Sequence, residues 1–188
     1  MVMRKNFGKK SWLYPMPVLI VAAYDEQGVP NVMNAAWGGI FSDDMIGICL
    51  SEGHKTTKNI RATGAFTVSV ATAGQLVACD YVGIVSGNKE PGKFAKAGFS
   101  AARSEFVNAP VINELPMALE CELASYDDDS NHLVGRIVNV SADESVLTDG
   151  KIDVAKLRPV TYDPINHNYI ELGAVVGKAF FDGKKLKG

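Results

Sequence analysis

Ser51-Glu52-Gly53-His54-Lys55-Thr56-Thr57-Lys58-Asn59-Ile60 runs through Arg61-Ala62-Thr63-Gly64 into Ala65-Phe66-Thr67-Val68-Ser69-Val70, and the reading of this stretch decides the architecture. Upstream of it, Ile46, Ile48 and Leu50 alternate with small residues, and within it Phe66, Val68 and Val70 alternate with Thr67 and Ser69. A period of two over five residues is what a strand with one covered face requires. Between the two strands, Thr56 to Arg61 is short, offers a hydroxyl able to cap a helix, and stops at Gly64, so one or two helical turns are expected there. The order is therefore strand, loop, short helix, strand. The same loop has a chemical reading. A phosphate monoester carries about −1.5 to −2 charges, and a helix N-terminus meets it with free N–H groups and a favourable dipole. Here an imidazole, an ammonium and two hydroxyls surround that terminus. On these residues alone, a plain polar loop with a capped helix is the stronger of the two readings.

Working outward, Met16 to Tyr24 is apolar and β-branched, meets the polar turn Asp25-Glu26-Gln27-Gly28, and resumes over Val29 to Trp37, which predicts a hairpin. Gly74 to Ile84 suits a helix, and Pro91, Phe94 and Ala97 suggest another ending near Gly98, the two packing together beside the sheet. Met117, Leu119, Cys121 and Leu123 alternate with Glu120 and Glu122 as a strand with one wet face. His132 to Val140 has apolar residues on both parities, so both of its faces are expected to be covered, by a helix or by a second subunit. Thr161 to Leu172 supplies a last short strand, and Phe180-Phe181 are two large rings expected to dock. No repeat, low-complexity tract or linker interrupts residues 1–188, which read as one mainly β domain with minor α structure.

Composition narrows the function classes. A chain of 188 residues with 47% hydrophobic content can bury one sizeable core. Its 19 basic and 21 acidic side chains leave a formal charge of −2, which favours neither nucleic acid nor anionic lipid, so any anion site must be local. Cys49, Cys79 and Cys121 lie far apart without a CxxC pair and read as buried free thiols in a reducing compartment. The apolar run Val18 to Ala23 is too short for a spanning helix, so the expectation is a soluble, cytoplasmic protein. No glycine pattern of a Walker loop or dinucleotide fold is present, and no GxSxG hydrolase signature occurs. Asp127-Asp128-Asp129-Ser130-Asn131 has carboxylates at calcium-loop spacing, but His132 stands where an EF-hand needs Gly and Val138 where it needs Glu, so it reads as a solvated turn. His54, His132 and His167 are too scattered to suggest zinc.

A second informative segment is Asn31-Val32-Met33-Asn34-Ala35-Ala36-Trp37-Gly38-Gly39. Small side chains let a backbone approach a planar ligand, and an indole can wall one side of it; a core strand edge with a buried Trp is the other reading of the same residues. Taken together, Asn34 to Trp37, His54 to Ile60 leading into Gly64 to Val70, Ser86-Gly87 with Lys93-Phe94, and His132 to Ile137 are similar in order and spacing to the flavin reductase family, most closely to its flavoredoxin-like members. The resemblance implies a Greek-key split β-barrel of the FMN-binding type with short flanking helices, dimeric, with FMN at or near the subunit interface. It also implies that Asn34, Ala35, Ala36 and Trp37 border the isoalloxazine. Ser51, His54, Lys55, Thr56 and Thr57 would gather round the ribityl phosphate, with Ser86, Gly87 and Lys93 near the cofactor. Lys89 is a rival for the Lys93 role.

Under that resemblance His132 is the candidate catalytic residue, orienting a reductant or donating a proton, because an imidazole titrates near neutrality; a strand-end surface histidine is the alternative. The leading expectation is an NAD(P)H-dependent flavin reductase working on free flavin, oxygen or a protein acceptor. Its rivals are an FMN electron carrier reduced by a partner protein, and a barrel retained as a flavin or haem store.

Overall fold

The expected hairpin forms the heart of the molecule. Strand β1 (Leu19–Tyr24) pairs antiparallel with β2 (Pro30–Ala35), and the Asp25 carboxylate closes the turn by accepting from the Gln27 and Val29 N–H groups. The structure, a computed structural model, describes residues 2–187. The other elements that position the site are β3 (Gly38–Ser42), β4 (Met45–Cys49), α1 (Lys55–Thr63), β5 (Ala65–Val70), α2 (Leu76–Ile84), α3 (Lys93–Lys96), β6 (Met117–Asp127), β7 (His132–Ala142), β8 (Val160–Asp163) and β9 (Asn168–Glu171).

Seven of these strands make one antiparallel sheet in the order β2-β1-β5-β6-β7-β4-β3. The pairs β1/β2, β3/β4 and β6/β7 are chain neighbours, whereas β5 inserts between the first hairpin and β6, giving the crossing connections of a Greek key. The sheet curls into a half-barrel, so the mainly β split-barrel architecture expected from the sequence is present.

The apolar run that was too short to span a membrane is instead a strand covered on both sides. Leu19, Val21 and Ala23 enter one core cluster with Ile48, Ile60, Phe66, Leu119 and Leu133. Val18, Ile20 and Ala22 enter a second with Val32, Cys79, Val82, Phe94 and Phe99, beneath α2 and α3. Side chains on a strand alternate between faces, so a strand sandwiched between two cores must be apolar at both parities. The two predicted helices meet in the second cluster, Cys79 and Val82 from α2 with Phe94 from α3, and Lys93 of α3 donates to the Val82 carbonyl of α2 at 3.0 Å.

Several expectations are corrected. Helix α1 runs Lys55–Thr63 and ends as expected at Gly64, in the left-handed region at φ 73°, but its N-cap is His54 and no side chain caps it. The Thr56 hydroxyl donates instead to Asn31 Oδ1 at 2.9 Å. Cys49 is exposed, and only Cys79 and Cys121 are buried; burial pushes their thiols up to about 11 and about 12. On β7, Leu133 and Val134 are buried, but Val138 and Val140 stay exposed, as do Phe180 and Phe181. Within one chain, therefore, neither the outer end of β7 nor the aromatic tail is covered.

Phe66 is fully buried at the centre of the first cluster. Phe66→Ala is expected to cost about 3–5 kcal/mol, read as a lowered midpoint in denaturant unfolding at unchanged slope. A loss below about 1 kcal/mol would contradict the assignment of this ring to the core.

Candidate functional site

Three segments converge beside β2. The first turn of α1 brings His54, Lys55 and Thr56; the loop after α2 brings Val85, Ser86 and Gly87; α3 brings Lys93. Together with Asn31, Met33 and Asn34 they line a cavity of about 350 Å³.

Asn31 holds these parts in register. It is buried, accepts from the Thr56 hydroxyl, and lies directly against Gly87, where a Cβ would come within 2.5 Å of its amide nitrogen. Only a residue without a side chain admits that approach, which is the physical reason for glycine in the Ser86-Gly87 pair. The Asn88 amide donates to the Gly53 carbonyl at 2.8 Å and ties the two loops from the other side.

Lys93 is 3% exposed, and its ammonium donates to the Val82 and Val85 carbonyls at 3.0 and 2.8 Å. Those carbonyls belong to the end of α2, where a helix leaves acceptors unsatisfied and where a cation is favoured. An ammonium has three protons, and two are accounted for. Burial pushes its pKa down to about 8. The His54 imidazole is held below its ordinary value, first by burial and then by the Lys93 charge. Facing them, the first backbone bond of α1 is Lys58 N–H to the His54 carbonyl, so the N–H groups of Lys55, Thr56 and Thr57 precede the helical ladder. Lys55 is half-exposed and lies 3.7 Å from the Asp25 carboxylate. The donor set is cationic and rich in N–H groups, which suits an anion with several acceptor oxygens.

Asn34 joins this cavity to a second one of about 390 Å³, lined by Asn34, Ala35 and Ala36 on one side and by Asp80, Tyr162, His167 and Tyr169 on the other. The Asn34 amide is fixed by donating to the Cys79 carbonyl at 3.1 Å. Tyr169 donates to Asp80 at 2.6 Å, and burial followed by that carboxylate raises its pKa, so it stays a neutral phenol. The Tyr162 hydroxyl meets His167 Nδ1 at 2.6 Å. Each cavity falls within the roughly 300–1,000 Å³ range of ligand sites. Polar donors at one end and small residues with aromatic neighbours in the middle fit an elongated ligand that has a phosphate tail and a flat head.

The structure thus brings together Asn34, Ala35, Ala36, His54, Lys55, Thr56, Ser86, Gly87 and Lys93. It places Lys93, and not Lys89, in the wall. Trp37 lines a further slot that shares Ala36 with the second cavity. Ser51 lies outside these walls, its hydroxyl accepting locally from the Gly53 N–H at 3.4 Å. Thr57 is fully buried, and its hydroxyl has no partner among the described residues. His132 sits opposite Cys49 on β7, packed edge to face on Phe41 at 5.6 Å, and lines neither cavity of the single chain. Sequence reasoning missed Asn31, although it lies in the segment singled out above, and missed Asp80, Tyr162, His167 and Tyr169. The signal for the last three was the aromatic density of a segment read only as a terminal strand.

A family model described as "Flavin reductase like domain" matches residues 11–164. Among solved structures, the chain is similar to the flavoredoxin of Desulfovibrio vulgaris (Miyazaki F), with 37% identity, TM-score 0.92, and 97% of this chain and 100% of that one covered. It is also similar to a flavoredoxin from Methanosarcina acetivorans, with 28% identity, TM-score 0.89, and 98% and 100% covered. A curated protein of Aeropyrum pernix is 30% identical over 122 residues, covering 64% of this chain. The chain spans about half of that relative's length, 46% of it.

The Lys93 ammonium is the form that attracts a phosphate, and it is the form lost as pH rises past about 8. Affinity for FMN, the ligand the resemblance implies, is therefore expected to be level at neutral pH and to fall by up to about tenfold per pH unit above roughly 8. Lys93→Met should flatten that fall. Fluorescence titration from pH 6.5 to 9.5 reads both, and equal slopes for the two proteins would contradict the placement of this charge.

Proposed function

The chain belongs to the flavin reductase-like domain family, and on that premise we propose that it is an FMN-binding flavoprotein acting as an NAD(P)H-dependent flavin reductase. The observation that carries the reading is the continuity of the crevice: the cationic turn before Ile60 and the small-residue end of β2 share Asn34 as a common wall. A ligand with a phosphate at one end and a flat ring system at the other would lie along it.

In this reading the N–H groups of α1, the Lys93 ammonium, His54, Lys55 and the Ser86 hydroxyl hold the phosphate. The backbone of Asn34 to Ala36 lies against the rings, with Tyr162 and Tyr169 across the cavity. When bound, the flavin supplies the capacity to take up a hydride and to pass on electrons, while the protein binds, orients and desolvates it. No nucleotide-binding glycine motif is needed for a reductant that stacks on a ring. The solved structure of a nitrilotriacetate monooxygenase component B from Bacillus cereus shares the fold at 21% identity and TM-score 0.77.

A homodimer in the cytoplasm is part of the proposal. Ile40 and Phe41 on the edge strand β3, with Val138 and Val140 on β7, leave an apolar strip exposed. A second copy seated there would cover it and would give His132, beside Phe41, a new neighbour. No helix of the described residues is long and apolar enough to cross a membrane.

The second reading is an electron carrier reduced by a partner protein, and a specific observation favours it: two of the similar solved structures are flavoredoxins. Anaerobic mixing of flavin-loaded protein with NADH and NADPH separates the two. Rapid bleaching of the flavin absorbance is the outcome for the reductase; absorbance unchanged until a redox partner is added is the outcome for the carrier. In the same preparation, Lys55→Ala and Lys93→Ala are expected to weaken FMN binding by about tenfold or more, as lost charge-assisted bonds to phosphate imply. Lys184→Ala, in the exposed tail, should leave it unchanged. Equal affinities for all three would remove the phosphate cradle from the reading.

A further inference from the structure

The acidic turn Asp127-Asp128-Asp129-Ser130-Asn131, which reads in the sequence as a solvated connection, joins β6 to β7 and lies against the loop that leads into α1. It closes on itself: the Asp127 carboxylate accepts from the Ser130 N–H at 2.7 Å and from the Ser130 hydroxyl at 2.8 Å. Asn131 then enters the left-handed region at φ 56°, where asparagine is one of the few side chains at ease. Two of its acceptors face the neighbouring loop. The Asn131 carbonyl accepts from the Leu50 N–H at 2.8 Å, and its side-chain Oδ1 accepts from the Glu52 N–H at 3.2 Å. Tyr126, near the end of β6, completes the grip by sharing its hydroxyl proton between the Leu50 carbonyl at 2.8 Å and Asn131 Oδ1 at 3.1 Å.

The same hairpin holds α1 further along. Arg61, about one turn beyond Thr57 on that helix, lies 4.6 Å over the Tyr126 ring and reaches Asp128 with both terminal nitrogens, at 2.7 and 3.4 Å. An exposed ion pair of this kind adds little stability, but with the ring beneath it the pair sets the direction of the helix. One hairpin therefore fixes both the loop before α1 and the body of α1. In that loop the Leu50 N–H and carbonyl and the Glu52 N–H are held from this side, while Asn88 holds the Gly53 carbonyl from the other. Ser51, Glu52, Gly53 and His54 are exposed, so core packing does not order them. Without these bonds the loop would have to be ordered as a ligand arrived, and the lost entropy would weaken binding.

We propose that Tyr126 and Asn131 are positioning residues for the phosphate turn: they pre-order Leu50 to Gly53 and the N–H groups that open α1, and so set the preference of the site for a phosphorylated flavin over the same flavin without its phosphate. The proposal rests on the functional reading above and deepens it. Neither residue lines either cavity, so each acts through the backbone it holds. A phosphate accepts from several N–H groups at once only when they converge on it, and a hydrogen bond weakens steeply as its angle closes. A small rotation of the first turn of α1 therefore costs the phosphate several contacts together. On the same reading the flat head rests on Asn34 to Ala36, at the end of β2, a segment anchored by the Cys79 carbonyl and not by this hairpin. The two ends of the ligand are thus held by different supports, and only one of them depends on Tyr126 and Asn131.

The test compares FMN with riboflavin, the same ring system without phosphate, each titrated against the full chain and followed by flavin fluorescence. Wild-type protein is expected to favour FMN. Tyr126→Phe removes the hydroxyl and keeps the ring beneath Arg61; Asn131→Gly removes Oδ1 and keeps the left-handed backbone at no steric cost. Each change should weaken FMN by about three- to tenfold, the effect of losing one hydrogen bond, and leave riboflavin affinity unchanged. The double variant should lose less than the product of the two single losses, because both act through one loop. Inorganic phosphate, used as a competitor against FMN, should lose potency in parallel. FMN affinity unchanged in both variants would overturn the proposal. So would an equal loss for FMN and riboflavin, since the two residues would then support the whole cavity and not the phosphate end. A wild-type protein that binds riboflavin as tightly as FMN would overturn the phosphate reading beneath this inference.

Discussion

Burial of one ammonium group organises the site. Taking a charge out of water costs several kcal/mol unless the surroundings return it as hydrogen bonds, and for Lys93 they do so through two carbonyls at the end of α2. Those carbonyls lie where α2 stops and the Ser86-Gly87 loop leaves it. That loop packs so closely on Asn31 that the approach at Gly87 leaves no room for a Cβ. The remaining hydrogen-bonding capacity of the ammonium and the N–H groups at the start of α1 belong to the same cavity, which is what the proposed phosphate site requires. On the proposed reading, a phosphate there would offset part of the cost of burying the ammonium.

The rest of the crevice follows from small residues at the end of β2. Asn34, Ala35 and Ala36 project little, and α2 approaches them closely: a Cβ at Gly83 would meet Asn34 at 3.0 Å. Asn34 is held by the Cys79 carbonyl, which orients it without filling the space beyond. Across the gap, Tyr162 and Tyr169 come from two strands outside the main sheet, so the first hairpin serves both as core and as floor of the cavity. The two core clusters on either side of β1 make that floor rigid, and a rigid floor is what a planar ligand needs if its orientation is to matter.

The half-barrel leaves its far edge unfinished. Its last strand, β3, presents Ile40 and Phe41 to solvent, and Trp37 stands where that strand begins. Exposed edge strands with apolar side chains are uncommon in chains that stay single, because unpaired backbone groups and bare rings both favour association. The position of His132 beside Phe41 belongs with this edge, so any part it takes in chemistry depends on what is seated there.

Periodicity along the chain determined most of the architecture. Alternation in Phe66 to Val70 and Met117 to Leu123, the turn at Asp25 to Gly28 and the stop at Gly64 are local signals, set by backbone geometry within a few residues. The cationic turn before Ile60 and the small residues after Met33 were legible for the same reason. The tertiary structure alone put Lys93 and not Lys89 in the cavity wall, because that depends on how a loop threads past Asn31. It alone brought Tyr162, His167 and Tyr169 to Asp80 across some eighty residues, and left His132 beside Phe41, outside both cavity walls. Such convergence depends on strand order, and strand order is set by which apolar faces can be buried together, a property of the whole chain that no short stretch of it encodes.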